Sequence, residues 1–306
     1  EVIHKFNHKD YATPEANPST LLNLPIQQCW PQDAGRFITL PCVVTQDPDS
    51  KDRNLGMYRM QVFDQRTTAL HWQLQKVAAR HGKRYFEEGR RMPVSVFLGG
   101  DPAYAFCASA PLPDGLDELL LGWLRQKSVP LIKCETNDLE VPADADIVLE
   151  GYVDPAEPLR DEGPFGDHTG YYTLTEKYPA FHITAITHRR DAIYPSTIVG
   201  PPPMEDFYLG TASLRIFLPI LKMNFPELID IALPAEGLFH NLDFASIKKT
   251  YPMQAYKIMH GLWGAGQMMF AKYIIVVDED VDVHNTSEVL FRLGANTDPQ
   301  RDAIFT

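Results

Sequence analysis

The order of hydrophobic and polar positions divides the chain into two parts that differ in predicted secondary structure. In the first two thirds, short runs rich in β-branched and aromatic residues predict strands. These strands are expected at residues 36–45, 55–64, 92–98, 131–134, 146–153, 180–188 and 193–199. Apolar residues at helical spacing predict two helices among them, over residues 74–88 and 116–126. The opening segment of roughly thirty residues is rich in Pro, Asn and His, which is typical of an irregular arm.

The predicted secondary structure changes after the three consecutive prolines at residues 201–203. Residues 205–222 and 253–270 predict longer helices, with a strand between them and another strand at 273–277. The glycines of 261–266 lie inside the second helical pattern, which favours close helix packing over a nucleotide-binding loop. We therefore expect two domains, residues 1–203 and 204–306.

Composition narrows the class of protein. The charge sum is 28 − 40 = −12 and no basic run is longer than a pair, which argues against a nucleic-acid-binding surface. The longest apolar runs are too short to cross a bilayer. Four cysteines without CxxC spacing favour small core residues in a reducing cytoplasm over a disulfide framework or a zinc site. The chain begins with Glu1 rather than Met, so we expect it to be a piece of a longer protein.

One candidate site is the segment EGPFGDHTG at residues 162–170. Its glycines and proline predict a tight turn that can bring Glu162 and Asp167 towards one cavity. Two converging carboxylates repel, so one of them would keep its proton near neutral pH and could serve as a general acid. The alternative is that Asp167 and Thr169 only cap the turn through side-chain hydrogen bonds to the backbone.

A second candidate is the segment NLGMYRMQ at residues 54–61. Period-2 alternation places Arg59 on the same face as Leu55, Met57 and Gln61. A guanidinium buried on such a face requires an anionic partner, either a carboxylate side chain, a phosphate or a substrate carboxylate. The alternative is an edge strand with Arg59 in water.

These two segments together resemble the UbiD family of reversible decarboxylases that use prenylated FMN. Further segments resemble the same family in the same order: MPVSV at 92–96, LGGDP at 98–102, NDLEVP at 137–142, IVLEGY at 147–152 and KYIIVVDED at 272–280. The resemblance extends over nearly the whole chain from about Gly35. It implies a mixed α+β and α/β fold, in which a flavin-reductase-like split β-barrel domain precedes a smaller α/β domain. Both termini would be shortened relative to the family.

The resemblance also implies a site. Arg59, Glu162 and Asp167 would form the catalytic network, with Arg59 orienting the leaving carboxylate and holding Glu162 ionised. Either acid could deliver the replacement proton to carbon, and we favour Asp167. The residues expected to contact the prenylated FMN are Thr39, Asn54, Gly56, Arg59, Gln75, Ser109 and Lys272.

The cofactor phosphate would be held by a divalent metal, Mn²⁺ or Mg²⁺, together with a monovalent cation such as K⁺. The expected metal ligands are Asn54, Gln75 and Glu118, and Asp117 is the alternative to Glu118. Gln75 stands where the family has a histidine, in the run HWQLQ at 71–75. A glutamine oxygen suits a hard cation but lacks the imidazole nitrogen that favours Mn²⁺. We expect the neighbouring His71 to be structural.

By resemblance, the function would be non-oxidative, reversible decarboxylation of an aromatic or α,β-unsaturated carboxylic acid. The substrate would be a small 4-hydroxybenzoate-type acid or a polyprenylated hydroxybenzoate of ubiquinone or menaquinone synthesis. A flavin prenyltransferase would supply the cofactor, and the chain would form a homo-oligomer through its C-terminal domain. We expect a cytoplasmic enzyme, peripheral to the membrane if its substrate is polyprenylated. The alternative is a non-catalytic subunit or flavin-binding scaffold, favoured by Gln75 and the shortened chain.

Overall fold

The computed structural model describes residues 2–5, 20–112 and 115–306. The chain divides into two units, Glu1–Val199 and Gly200–Thr306. The boundary expected from the sequence, between residues 203 and 204, lies a few residues after this division. In the described part of the chain, no helix combines the length and apolarity needed to span a membrane.

The first unit is built on a seven-stranded antiparallel sheet. The strands of this unit are β1 (Val2–Lys5), β2 (Phe37–Ile38), β3 (Cys42–Gln46), β4 (Arg53–Met57), β5 (Met60–Gln61), β6 (Thr67–Ala69), β7 (Met92–Leu98), β8 (Leu131–Lys133), β9 (Glu140–Pro142), β10 (Ile147–Val153), β11 (Arg160–Glu162), β12 (Glu176–Tyr178) and β13 (Ala180–His188). The main sheet has the order β1-β13-β10-β7-β3-β4, and β6 also pairs with β13. Three two-stranded ribbons, β2-β5, β8-β9 and β11-β12, accompany it.

Among the described residues, the first unit also contains two helices and two 3₁₀ segments: α1 (Val77–Glu87), α2 (Ala103–Ser109), Leu21–Asn23 and Glu118–Arg125. Helix α1 buries Ala78, His81, Gly82 and Tyr85, which recur every three or four positions and form one face. This face packs on β3, β4 and β7. The resulting core is aliphatic and aromatic, and it holds in place the edge of the sheet that carries the second candidate segment, NLGMYRMQ.

The second unit is a three-stranded mixed sheet covered by helices. Its elements are α3 (Glu205–Asn224), β14 (Leu228–Ala232), β15 (Leu242–Ile247), α4 (Gln254–Trp263), β16 (Tyr273–Asp278), α5 (Thr286–Asn296) and α6 (Pro299–Asp302), with 3₁₀ turns at Ala235–Gly237 and Gly266–Phe270. Strand β15 is central, antiparallel to β14 and parallel to β16. Because side chains alternate along β15, Ala245 packs with α3 and α4 while Phe244 packs with Val289 of α5.

The fold class expected from the sequence is confirmed: a large antiparallel sheet precedes a smaller unit of helices and strands. Strands β7 and β13 have the predicted bounds. The predicted strand 36–45 is instead two strands, because Pro41 has no N–H to donate to a ladder. The predicted helix 253–270 ends at Trp263 and resumes as a 3₁₀ turn. Residues 193–199 were expected as a strand but form no ladder.

The irregular arm expected at the start of the chain was partly wrong. Residues 2–5 form β1, which pairs with the edge of β13 from Val2 opposite His188 to Lys5 opposite Ala185. The pairing partner lies 180 or more residues away in sequence, so local composition could not indicate it. Residues 6–19 lie outside the described part of the chain. As predicted, Cys42, Cys107 and Cys134 are buried core residues, whereas Cys29 is half-buried.

Candidate active site

The segment EGPFGDHTG lies on one arm of a β-hairpin. Strand β11 pairs with β12, with Glu162 opposite Glu176, and a bridge between Gly166 and Tyr172 continues the pairing towards the tip. The chain reverses at residues 167–170, where Gly170 has a φ of +80° that favours glycine. Asp167 therefore lies at the tip of the hairpin, where its N–H donates to the carbonyl of Tyr171.

Arg59 lies between β4 and β5 and is largely buried, with 13% of its side chain exposed. Its guanidinium carbon sits 4.6 Å from the ring centroid of Phe165, one residue of the hairpin arm. Of the two interpretations open from the sequence, the buried guanidinium with an anionic partner therefore describes this arginine. The edge-strand alternative does not.

The partner of Arg59 is Glu162, whose side chain is fully buried. Nε of Arg59 donates to Oε1 at 2.7 Å and one terminal nitrogen donates to Oε2 at 3.0 Å. Two parallel N–H···O bonds between planar groups fix both position and orientation. The pair joins residues 103 positions apart and fastens the hairpin to the segment after β4.

Asp167 joins the same cluster from the tip of the hairpin. Its Oδ2 lies 3.6 Å from a terminal nitrogen of Arg59, and its Oδ1 lies 2.9 Å from Nδ1 of His168. Asp167 also accepts the backbone N–H of His168, and Thr169 accepts that of Tyr171. The two carboxylates thus converge, and the capping bonds of the alternative interpretation are present as well.

His71 is closer to this site than its expected structural role implies. Nδ1 of His71 lies 3.2 Å from Oε2 of Glu162, and its ring packs against Tyr178 in a tilted arrangement, with 4.3 Å between centroids. An ionised carboxylate can only accept, so we assign the proton to Nδ1 of His71. The sequence signal that could have indicated this role is the position of His71 in the run HWQLQ, which also contains Gln75, the residue that departs from the family.

Neither carboxyl has the raised pKa that repulsion between two acids predicts. Burial acts to raise the pKa of Glu162, but the hydrogen bonds from His71 and Arg59 outweigh it and lower the pKa below its usual value. Burial likewise opposes ionisation of Asp167, yet His168 and then Arg59 lower its pKa. The expectation of a protonated acid was therefore wrong, because each carboxylate has its own cationic or N–H partner.

Two further residues hold the hairpin arm in register, and sequence reasoning missed both. Asp33 is buried, and its carboxylate accepts the backbone N–H of Cys29 and Trp30 on one oxygen and that of Gly166 on the other. Gln61 accepts the N–H of Gly163. Because Asp33 and Gly166 are 133 residues apart, no local pattern indicates this contact.

The expected metal ligands only partly come together. Asn54 and Glu118 both line a cavity of about 310 Å³. The basic side chains on the same wall are Arg53, Arg80, His81 and Arg84. Gln75 is exposed, donates to Gln73 and is not on this wall. Among the described residues, no three His, Cys, Asp or Glu side chains form a metal-binding group. A site built from Asn54 and Glu118 would contain only one residue of those types.

Glu118 fits a cation better than Asp117 does. Burial raises the pKa of Glu118 to about 7, so a nearby cation would stabilise its ionised form. Its Oε2 accepts the N–H of Leu55, next to Asn54, at 2.8 Å. Asp117 is instead engaged by the guanidinium of Arg53. The structure thus favours Glu118 of the two alternatives.

The remaining expected cofactor contacts lie in different surroundings. Thr39 is buried and accepts the N–H of Thr197, and Ser109 donates within its own helix α2. Gly56 packs against the Tyr58 ring so closely that a Cβ would overlap the hydroxyl. Lys272 is exposed and belongs to the second unit. These four contacts stay predictions.

Comparison with family models identifies the class of protein that this fold and site define. A model described as the 3-octaprenyl-4-hydroxybenzoate carboxy-lyase Rift-related domain, UbiD, matches residues 5–202. The model for the C-terminal domain of the same carboxy-lyase matches residues 207–306. The chain therefore belongs to the UbiD family of carboxy-lyases, as the two motifs predicted.

Curated relatives agree and are longer. An uncharacterised protein of Archaeoglobus fulgidus is 53% identical over 292 residues, which cover 95% of this chain and 60% of that protein. An uncharacterised protein of Helicobacter pylori is 45% identical over 284 residues, covering 92% of this chain and 46% of that protein. The chain thus spans about half to three fifths of the length of these relatives.

Solved structures of UbiD-class enzymes have the same fold. An evolved dimeric form of HmfF from Pelotomaculum thermopropionicum, in complex with prFMN, has a TM-score of 0.87 and 28% identity, covering 99% of this chain and 68% of that one. The vanillic acid decarboxylase of Sedimentibacter hydroxybenzoicus in closed form also has a TM-score of 0.87 and 28% identity, covering 99% and 63%.

The buried ion pair predicts how stability depends on pH. The folded-state pKa of Glu162 lies below its usual 4.5, so its contribution is full above that pH and is lost as the pH falls through the folded-state pKa. We expect Glu162→Gln to be less stable than the wild type by about 2 kcal/mol at pH 7. Chemical denaturation from pH 7 to pH 3 should show this gap narrowing below about pH 4.5. A stability difference that stays constant or widens on acidification would contradict the buried ion pair between Arg59 and Glu162. Glu87→Gln, at an exposed ion pair, serves as the control.

The hydrogen bonds to the Asp33 carboxylate should protect backbone amides of the hairpin from hydrogen exchange. Asp33→Asn retains one acceptor oxygen but replaces the other with an NH₂ group, so a backbone N–H of Gly166, Trp30 or Cys29 loses its partner. We expect stability to fall by about 1–3 kcal/mol and amide exchange over residues 163–173 to accelerate. Asp191→Asn, at an exposed ion pair, should leave exchange in that segment unchanged. Unchanged exchange in Asp33→Asn would show that Asp33 does not hold the loop.

Proposed function

We propose that the protein containing this chain is a prenylated-FMN-dependent enzyme that reversibly decarboxylates an aromatic or α,β-unsaturated carboxylic acid. The observation that supports this most is the cluster of Arg59, Glu162 and Asp167, which assembles from two motifs of the UbiD family. Bound prenylated FMN would supply an electron-accepting ring that takes up the electron pair left when CO₂ departs.

Arg59 and Glu162 have an orienting role in this proposal. Glu162 accepts from two guanidinium nitrogens and from His71, so its charge is balanced in a fully buried position. The remaining terminal nitrogen of Arg59, which faces Asp167, is the group that can bind a substrate carboxylate. Phe165 on one face of the guanidinium limits the directions from which that carboxylate can approach.

Asp167 is the proposed proton donor to carbon. It is the more exposed of the two acids, with 22% of its side chain accessible against none for Glu162. A substrate carboxylate that binds beside Asp167 would repel the negative charge of Asp167 and so favour its protonated form. The C–CO₂ bond breaks, the proton of Asp167 goes to the same carbon, and Asp167 takes a new proton from solvent. Carboxylation would be the same sequence in reverse.

Asn54 and Glu118 would hold the metal and, through it, the cofactor phosphate. Both groups offer oxygen, which Mg²⁺ and Mn²⁺ accept. Asn54 lies five positions before Arg59, so their Cα atoms are at most ~18 Å apart along an extended chain. A cofactor whose phosphate is held near Asn54 would therefore have Arg59 within about one cofactor length.

The remaining parts of the proposal rest on family membership. We propose a small phenolic acid or a polyprenylated hydroxybenzoate as substrate, K⁺ as a second cation and a flavin prenyltransferase as the source of the cofactor. Association of copies through residues 204–306 and a cytoplasmic location belong to the same proposal.

One observation favours a second candidate, a non-catalytic subunit or flavin-binding scaffold. Gln75 replaces the family's histidine, and its side chain is exposed beside Gln73 rather than on the wall with Asn54 and Glu118. A non-catalytic subunit that binds no cofactor would leave the purified protein free of divalent metal and colourless even after cofactor supply, whereas a flavin-binding scaffold would be coloured but inactive.

Activity measurements on the full-length protein loaded with prenylated FMN distinguish the two candidates. We expect CO₂ release, or H/D exchange at the product carbon, with at least one acid of an aromatic and α,β-unsaturated panel. Arg59→Lys should lower the rate by ~100-fold, because an ammonium cannot make the two parallel bonds to Glu162. Arg91→Lys, a matched change at a largely exposed arginine that pairs with Asp154, should retain the wild-type rate. No turnover across the panel by a metal- and flavin-loaded sample would remove the decarboxylase and leave only the second candidate.

A further inference from the structure

We propose that Thr45 and His81 form a hydrogen-bond relay that fixes the side-chain amide of Asn54, so that its oxygen faces the cavity it shares with Glu118. The two residues would be positioning residues for the metal. The inference rests on the proposed metal site, and it assigns a role to two buried polar side chains that the mechanism does not otherwise use.

Thr45 is placed beside Asn54 by the register of the sheet. The two residues are directly opposite each other on the antiparallel strands β3 and β4. Side chains of such a pair lie on the same face, about 5 Å apart at Cβ. Nδ2 of Asn54 lies 3.5 Å from Oγ1 of Thr45, and the Thr45 side chain is completely buried.

His81 reaches the same hydroxyl from the buried face of α1, which packs on both strands. Its Nδ1 lies 3.1 Å from Oγ1 of Thr45, and its Nε2 lies 4.0 Å from Oδ2 of Asp47. Asp47 is itself buried, engages Arg84 and accepts the N–H groups of Asp49 and Ser50. The chain of polar contacts therefore runs from a fixed carboxylate to the cavity wall.

The charges along this chain set the direction of each hydrogen bond. Burial opposes ionisation of Asp47, but its backbone hydrogen bonds and Arg84 outweigh this and lower its pKa, so it is a carboxylate. Burial lowers the pKa of His81, so the ring is neutral near neutral pH. A neutral ring carries one proton, and the nearby carboxylate favours placing it on Nε2. Nδ1 is then an acceptor, and the Thr45 hydroxyl donates to it.

The orientation of the Asn54 side-chain amide follows from the hydrogen bond that the Thr45 hydroxyl donates to His81. With that proton on the His81 side, Oγ1 presents only lone pairs to Asn54, so the group facing it must be the NH₂. The hydroxyl of Tyr58, 3.4 Å from the same nitrogen, could donate or accept and does not decide the orientation. The amide oxygen is left towards the cavity, which is the orientation that a hard cation requires.

The test compares Thr45→Val, which replaces the hydroxyl with a methyl group of similar size, with Thr45→Ser, which retains the hydroxyl. Mn²⁺ affinity is measured by EPR titration of the full-length protein in the presence of FMN, and thermal unfolding of each variant monitors folding. We expect Thr45→Val to weaken Mn²⁺ binding by ~10-fold or more, as loss of a residue that orients a ligand usually does. Thr45→Ser should bind within about threefold of the wild type.

Two results would overturn the relay: Thr45→Val binding Mn²⁺ as the wild type does, or Thr45→Ser binding as weakly as Thr45→Val. If the wild type binds neither Mn²⁺ nor FMN, the proposed function loses its metal site, and ¹⁵N NMR of histidine-labelled protein still decides the relay. A proton on Nε2 of His81 at pH 7.5 supports it, whereas a proton on Nδ1 overturns it.

Discussion

A carboxylate that is completely removed from water is stable only beside a compensating charge, and Glu162 meets this requirement through Arg59. The rest of the site depends on this pair. The guanidinium cannot shift without uncovering a buried anion, and the hairpin arm cannot shift without breaking two charged hydrogen bonds. His71 occupies a further position around the same carboxylate, so Glu162 is restrained by three N–H groups.

The surrounding fold brings these groups together from separate places. The antiparallel sheet fixes β4, and Arg59 follows it directly, while Asp33 and Gln61 bind the backbone of the hairpin arm at Gly166 and Gly163. Asp167 then approaches the free side of Arg59 from the tip of that hairpin. The result is an arrangement with one carboxylate locked and the other partly accessible. These are the different environments that an orienting residue and a proton donor need.

The two motifs were recognisable from the sequence because their residue types are unusual for their positions. An arginine on an apolar strand face and two acids around a Gly-Pro-Phe-Gly turn each call for a partner, and the partners are one another. Strands with strong β-branched patterns, such as β7 and β13, were also predictable to the residue. The pairing of β1 with β13 and the bond from Asp33 to Gly166 were not, because tertiary contacts over more than 130 residues leave no local pattern. The pKa direction of Asp167 depended on His168 and Arg59 as neighbours, and repulsion between the acids alone gave the wrong sign.

The site described above requires that Arg59 and Glu162 interact directly and strongly in the folded protein. A double-mutant cycle with Arg59→Met, Glu162→Gln and the double variant measures this interaction through the free energies of unfolding. The structure predicts a coupling free energy of about 2 kcal/mol, because each single change leaves the other polar group buried without its partner. Additive effects, with a coupling free energy indistinguishable from zero, would contradict the account.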